Sequence, residues 1–125
     1  MLAKCEAFST FSTNDLNEAK KFYGDLLGLE ISENKMGLLE LDLVNHLVLI
    51  YPKPDHEPAN FTVLNFKVNN LEEHVDKLTA KGVKFEQYDG VVKTDLKGIH
   101  RSDKGPSIAW FKDTAGNILS IIEEN

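Results

Sequence analysis

The chain has 125 residues, 42% of them hydrophobic and 27% charged, a composition typical of one globular domain. Its formal net charge of −6 repels phosphate backbones and argues against nucleic acid as a partner. Cys5 is the only cysteine, which excludes an intrachain disulfide and fits a reducing compartment. We see no signal peptide and no run near the ~20 apolar residues of a membrane span. We therefore expect a cytoplasmic protein without a membrane partner.

The first half of the chain predicts one helix and four strands. Asp15 followed by Glu18 has the spacing of a capping box at a helix start, and Gly28 suits the left-handed residue that ends a helix. The apolar residues between them recur at helical spacing: Leu16, Ala19, Phe22, Tyr23, Leu26 and Leu27. The strand-like runs are residues 5–12, 29–31, 37–44 and 46–51. Asn45 separates the last two and predicts a tight hairpin.

The second half predicts the same elements again. Three prolines within residues 52–58 predict an irregular connector. Asn70 followed by Glu73 has the capping-box spacing, and Gly82 would end the second helix, whose apolar stripe is Leu71, Val75 and Leu78. The strand-like runs are residues 61–68, 83–86, 107–112 and 118–123. The last two form a predicted hairpin around residues 113–117.

The spacing of these elements indicates an internal repeat. Leu71 follows Leu16 by 55 residues, and Gly82 follows Gly28 by 54. Each half is therefore a strand–helix–strand–strand–strand unit, and a repeat of this kind takes priority over other fold signals. We predict an α+β fold in which two βαβββ modules, about residues 1–57 and 58–125, pair into one cup-shaped sheet. The whole chain, residues 1–125, would be a single domain.

Two segments resemble the vicinal-oxygen-chelate superfamily, which includes glyoxalase I, extradiol dioxygenases and bleomycin- and fosfomycin-resistance proteins. Asn14-Asp15-Leu16 through Phe22-Tyr23 to Leu26-Leu27-Gly28-Leu29 is similar to the family's "DL…A…FY…LG" segment. Residues 110–117 are similar to its "F-x-D-P-x-G-N" turn, with Thr114 where proline is usual. With the repeat, the resemblance covers nearly the whole chain and implies the glyoxalase/bleomycin-resistance/dioxygenase fold.

The resemblance also implies where a metal would be bound. Metal-dependent members carry ligands, mostly His and Glu, on the first and last strands of each module, and the matching positions here are Phe8, Leu49, Val63 and Ser120. Such sites need imidazole nitrogen or carboxylate oxygen at about 2 Å from the cation. Phe, Leu and Val side chains offer no lone pair. We therefore expect no metal, no cofactor and none of the family's metal-dependent chemistry.

Strand alternation predicts which side chains line the cup. Its apolar walls and few polar groups suit a small organic ligand. The ligand-binding candidates on the strands are Phe8, Thr10, Ser12, Leu49, Tyr51, Val63, Asn65, Lys67, Trp110 and Ser120. The alternative is a cup that is closed by its own side chains or by a partner subunit.

His100 and Arg101 precede the final hairpin in a predicted loop that could close over the cup. Arg101 could bind a carboxylate or phosphate at two points and is a further ligand-binding candidate. His100 could exchange protons near neutral pH, and with Tyr51 it is a candidate catalytic residue. The alternative is a solvated loop. The remaining histidines are interpreted as surface or structural residues: His46, His56 and His74.

We predict metal-independent binding of a small organic molecule, as in resistance proteins that sequester an antibiotic. One alternative is a metal-dependent glyoxalase, lyase or dioxygenase with relocated ligands such as Glu40, His46 and His100. Another is a metal-free isomerase or lyase that uses His100 or Tyr51 as proton carrier. The net charge favours a cationic ligand, whereas Lys67 and Arg101 favour an anion. Since family members commonly dimerise and sheet edges would be exposed, we also expect a homodimer.

Overall fold

The computed structural model describes residues 1–124 and divides after Pro58 into two compact units, referred to below as the first and second modules. Both have the predicted order of one strand, one helical segment and three further strands. No helix in residues 1–124 is long and apolar enough to cross a membrane.

The first module forms a four-stranded sheet in the order β1-β4-β3-β2. Its elements are β1 (Ser9–Thr13), α1 (Leu16–Lys20) with a π-helical continuation (Lys21–Leu26), β2 (Glu30–Glu33), β3 (Leu39–Leu43) and β4 (His46–Pro52). Strand β1 pairs with β4 in parallel, and the other pairs are antiparallel. The prediction that the first strand begins at Cys5 was wrong, because Cys5 follows a short 3-10 helix (Leu2–Lys4).

The helix and turns of the first module form where their local sequence predicts. The Asp15 side chain accepts the backbone N–H of Glu18 at 3.2 Å, and Gly28 and Asn45 adopt positive φ angles of 73° and 53°. The helical segment buries one face against the sheet, which removes apolar area from water and stabilises the module. The buried residues are Ala19, Phe22 and Tyr23 from the helix side and Leu39, Leu41, Val48 and Ile50 from the sheet.

The second module repeats this topology, with strand order β5-β8-β7-β6. Its elements are β5 (Thr62–Lys67), α2 (Leu71–Ala80), β6 (Ile99–His100), β7 (Ser107–Lys112) and β8 (Ile118–Glu123). The final hairpin has the predicted bounds. The predicted strand over residues 83–86 was wrong, because only Phe85 forms a bridge there, to Phe111. The edge strand next to β7 is instead β6, which lies in the segment predicted to be a loop.

Strand β6 forms because a tight turn directs the chain back onto β7. The Asp95 carboxylate accepts the N–H groups of Lys97 and Ile99, each at 2.9 Å. Gly98 has a φ of 88°, which L side chains rarely adopt. Ile99 is then buried and pairs with Ala109. Two residues are too few for strand alternation to be visible in the sequence.

Helix α2 begins at the predicted residue but is capped differently. The Asn70 side chain makes no capping hydrogen bond within the described chain. The backbone N–H of Leu71 donates instead to the Glu123 carboxylate, from β8, at 2.8 Å. The helix contacts β7 and β8, and Leu71 and Val75 are its buried residues.

The turn between β7 and β8 is held by Asp113. Its carboxylate accepts the backbone N–H groups of Ala115 and Asn117 and the side-chain amide of Asn117, each at 2.9 Å. Gly116 completes the turn with a φ of 85°. Asp113 and Asn117 are buried. This family-like segment therefore has a structural role in the hairpin, which positions both final strands.

Candidate functional site

Each module has one sheet face that its helix does not cover, here called the helix-free face. In the first module the register aligns Thr10, Leu49 and Glu40 across three strands of this face. In the second module the register aligns Asn65, Ser120 and Trp110 in the equivalent row. The alternate residues of these strands form the buried cores under the helices.

The predicted site residues of the first module lie along β1 and β4. Phe8 is 58% exposed, Thr10 is exposed, and Leu49 and Tyr51 are half-buried. Ser12 is also half-buried, and its hydroxyl lies 2.6 Å from Nδ1 of His56. His56 is half-buried. This contact ties the connector to the sheet.

In the second module, Ser120 and Asn65 are directly linked. The Ser120 side chain is fully buried, and its hydroxyl donates to Oδ1 of Asn65. Lys67 is exposed, with its Nζ 3.4 Å from the Glu124 carboxylate. Val63 occupies a β-bulge, since the register moves from Thr62–Ile118 to Leu64–Leu119. The strict alternation used to predict its direction therefore does not extend through it.

Arg101 does not join the other site candidates. Its guanidinium contacts Glu72 of α2 at 2.5 Å and Asp95 at 3.4 Å. It therefore lies with the helix rather than on the helix-free face. Lys97 contacts the same helix through Asp76 at 2.9 Å and Glu72 at 3.5 Å.

Three rings meet on the helix-free face of the second module. The ring centroid of Trp110 lies 6.3 Å from that of His100 and 5.7 Å from that of Tyr88. Nδ1 of His100 is 2.9 Å from the carbonyl oxygen of Lys93. Sequence reasoning identified His100 and Trp110 but missed Tyr88, because residues 87–97 carry no periodic pattern that predicts their path.

The proposed relocated metal ligands are not brought together. Glu40 pairs with Leu49 on the helix-free face, whereas His46 belongs to the opposite face, which Val48 and Ile50 share. Nε2 of His46 lies 3.0 Å from the Ser9 hydroxyl. In the described part of the chain, no group of three or more His, Cys, Asp or Glu side chains could hold a metal ion.

A surface cleft of about 550 Å³ lies elsewhere, near the C-terminal end of α2. It is lined by Thr79, Val83, Phe85, Leu96 and Lys97, among others. Its polar groups include the Gln87 amide, which already donates to the Leu96 carbonyl at 2.7 Å. None of the predicted site residues lines it, so we place the candidate site on the helix-free faces.

Residues 7–121 match the model of the Glyoxalase/Bleomycin resistance protein/Dioxygenase superfamily. YraH, an uncharacterized protein of Bacillus subtilis strain 168, is 28% identical in an alignment that covers 86% of this chain and 89% of YraH.

Solved structures of the same fold are more distant in sequence. Lactoylglutathione lyase from Agrobacterium tumefaciens has a TM-score of 0.71 at 19% identity, covering 97% of this chain and 95% of its own. The fosfomycin resistance protein FosX from Listeria monocytogenes has a TM-score of 0.75 at 12% identity. The match covers 100% of this chain and 94% of the FosX chain. These TM-scores establish a shared fold. At such low sequence identities, the chemistry has to be argued from the residues of each individual site. Because the family model spans residues 7–121, this chain belongs to the Glyoxalase/Bleomycin resistance protein/Dioxygenase superfamily.

Proposed function

We propose that this protein binds a small organic molecule on the helix-free faces of its sheets, without the metal of the metal-dependent family members. The observation that carries the proposal is the donor set at the four matching positions. The side chains of Phe8, Leu49 and Val63 are hydrocarbons and have no atom that could bind a metal ion. The fourth position, Ser120, offers a buried hydroxyl that donates to Asn65. Divalent cations in sites of this class need imidazole or carboxylate ligands, and these residues do not fit that requirement.

The composition of the helix-free faces supports an organic ligand. Leu49 and Trp110 provide half-buried apolar surface, while Thr10, Asn65 and Tyr51 provide hydrogen-bonding groups. Small-molecule sites combine apolar walls with a few polar groups that fix orientation. Sequestration of an antibiotic-like molecule is one form that such binding takes, and one relative of this fold is a fosfomycin resistance protein. We further propose that the protein acts in the cytoplasm as a homodimer.

The first test is the metal content of protein purified without chelator and without a histidine tag. We expect well below about 0.1 equivalents of bound metal, and no change in melting temperature when nickel, zinc, iron or manganese is added, since a ligand that binds only the folded state raises that temperature. A near-stoichiometric metal that raises the melting temperature would overturn the metal-free part of the proposal. The same thermal measurement then screens small organic molecules, and a saturable increase supports the binding part.

A further inference from the structure

The ring cluster of Trp110, His100 and Tyr88 has the geometry of a recognition surface. Trp110 and His100 come from adjacent strands β7 and β6, and Tyr88 comes from the segment that precedes β6. The Tyr88 and Trp110 rings are inclined at 72°, and the His100 and Trp110 rings at 38°. Trp110 and His100 are half-buried, and Tyr88 is 37% exposed. The cluster therefore retains aromatic surface that the chain itself does not cover.

The hydrogen bond of His100 fixes which nitrogen carries its proton. The Lys93 carbonyl can only accept, so Nδ1 of His100 must donate across the 2.9 Å contact. In the neutral ring Nε2 is then unprotonated and accepts hydrogen bonds. His100 thus provides an acceptor beside the Trp110 ring.

The charged neighbours of the cluster are already paired. Lys93 lies 3.8 Å from Asp89, and Lys112, two residues beyond Trp110, lies 3.4 Å from Glu86. These pairs weaken any preference of the cluster for an ionic ligand. Selection here therefore rests on ring stacking and on a hydrogen bond to His100.

We infer that the ring cluster is a subsite for a planar aromatic ring that carries a hydroxyl group, that is, a ligand of the phenol class. This rests on the proposed function, because it assigns a ligand class to the same helix-free face. The ligand ring would stack in offset or edge-on fashion against Trp110 and Tyr88. Its hydroxyl would donate to Nε2 of His100.

The test uses the indole N–H signal of Trp110, the only tryptophan of the chain, in proton–nitrogen correlation spectra of the full-length protein. The probes are 4-methylphenol and 4-methylanisole, which differ only in whether the oxygen carries a donor proton. We expect both to shift the signal saturably, with the phenol binding about three- to tenfold more tightly, the range of one hydrogen bond.

Two histidine variants provide the matched comparison. His100→Ala should reduce the affinity for the phenol to that for the methyl ether. His74→Ala should change neither, although Nδ1 of His74 makes a similar contact to the Asn70 carbonyl at 2.8 Å. Tyr88→Ala should weaken the binding of both probes. Melting curves in the absence of probe establish that each variant is folded.

An indole signal that neither probe shifts would overturn the subsite. Equal affinities for the two probes in the unmodified protein would overturn the assignment to the phenol class. Failure of this inference is distinguishable from failure of the proposed function. If another organic molecule stabilises the protein while the indole signal stays unchanged, ligand binding stands and the ring-cluster subsite is wrong.

Discussion

At the residue scale, opposing effects act on the carboxyl group of Asp95. Burial raises the pKa of its carboxyl, but the backbone N–H groups of Ile99 and Lys97 and the charge of Arg101 outweigh it, so that the pKa lies below its usual range. A carboxyl whose pKa is lower in the folded than in the unfolded state stabilises the fold above the unfolded pKa. That contribution is lost as the pH falls through the folded pKa.

Replacing Asp95 with Asn should therefore destabilise the protein near neutral pH and matter less in acid. We expect the Asp95→Asn substitution to lower the free energy of unfolding at pH 7 by at most about 1 kcal/mol, because a side chain that is 39% exposed is screened by solvent. The difference should shrink below about pH 4. Urea unfolding of both proteins from pH 3 to 8 measures it. Asp89→Asn, at an 88% exposed side chain, is the control, and a difference that stays constant with pH contradicts the prediction.

Single residues were predictable where strand alternation decides their direction. Thr10, Leu49, Asn65 and Ser120 fall into two equivalent rows because β1, β4, β5 and β8 alternate faces as their sequences indicate. Arg101 was not predictable in this way, since its direction depends on ion pairs with Glu72 and Asp95 that only the tertiary structure reveals.

At the element scale, the start of α2 depends on a residue 52 positions away in sequence. Glu123 accepts the Leu71 N–H, one of the donors that a helix start leaves without an intrahelical partner. We expect Glu123→Ala to lower the free energy of unfolding by about 1 kcal/mol, the usual cost of losing a helix cap. Glu124→Ala removes the adjacent carboxylate, whose ion pair in the described residues is with exposed Lys67 at 3.4 Å, and should cost less. Equal losses in thermal or urea unfolding would contradict the assignment of Glu123 as the cap.

Whole elements were predictable where a local signal defines them. The hairpin of β7 and β8 surrounds a turn whose Asp113, Gly116 and Asn117 hold it by their own hydrogen bonds and backbone geometry, so its bounds follow from the sequence. Strand β6 has no such signal. It arises from the Asp95 turn and from the pairing of Ile99 with Ala109, while the β-like residues 83–86 gain only one bridge.

At the scale of the whole molecule, the internal repeat explains why the fold was easier to predict than the site. The matching strand orders β1-β4-β3-β2 and β5-β8-β7-β6 confirm the two βαβββ units inferred from helix spacing. The repeated elements share buried apolar positions, which define topology. The helix-free faces differ instead, with Glu40 in one row where Trp110 stands in the other. Ligand choice depends on such differences, which the repeat itself does not encode.

Exposed apolar surface in the second module bears on how the protein assembles. Residues 91–96 carry three exposed apolar side chains, Val91, Val92 and Leu96, and apolar surface of this kind often marks a protein interface. We expect sedimentation to give a mass of about 28 kDa, twice the 14.1 kDa of one chain, as for a two-fold dimer.

Val91→Lys should shift the mass towards that of one chain, because an interface disfavours an unpaired charge. The control is Val44→Lys, which should leave the dimer intact. The exposed fraction of the Val44 side chain is 92%, against 107% for Val91. A monomer at all concentrations up to about 100 μM would contradict the dimer, since an interface of standard size supports tighter association.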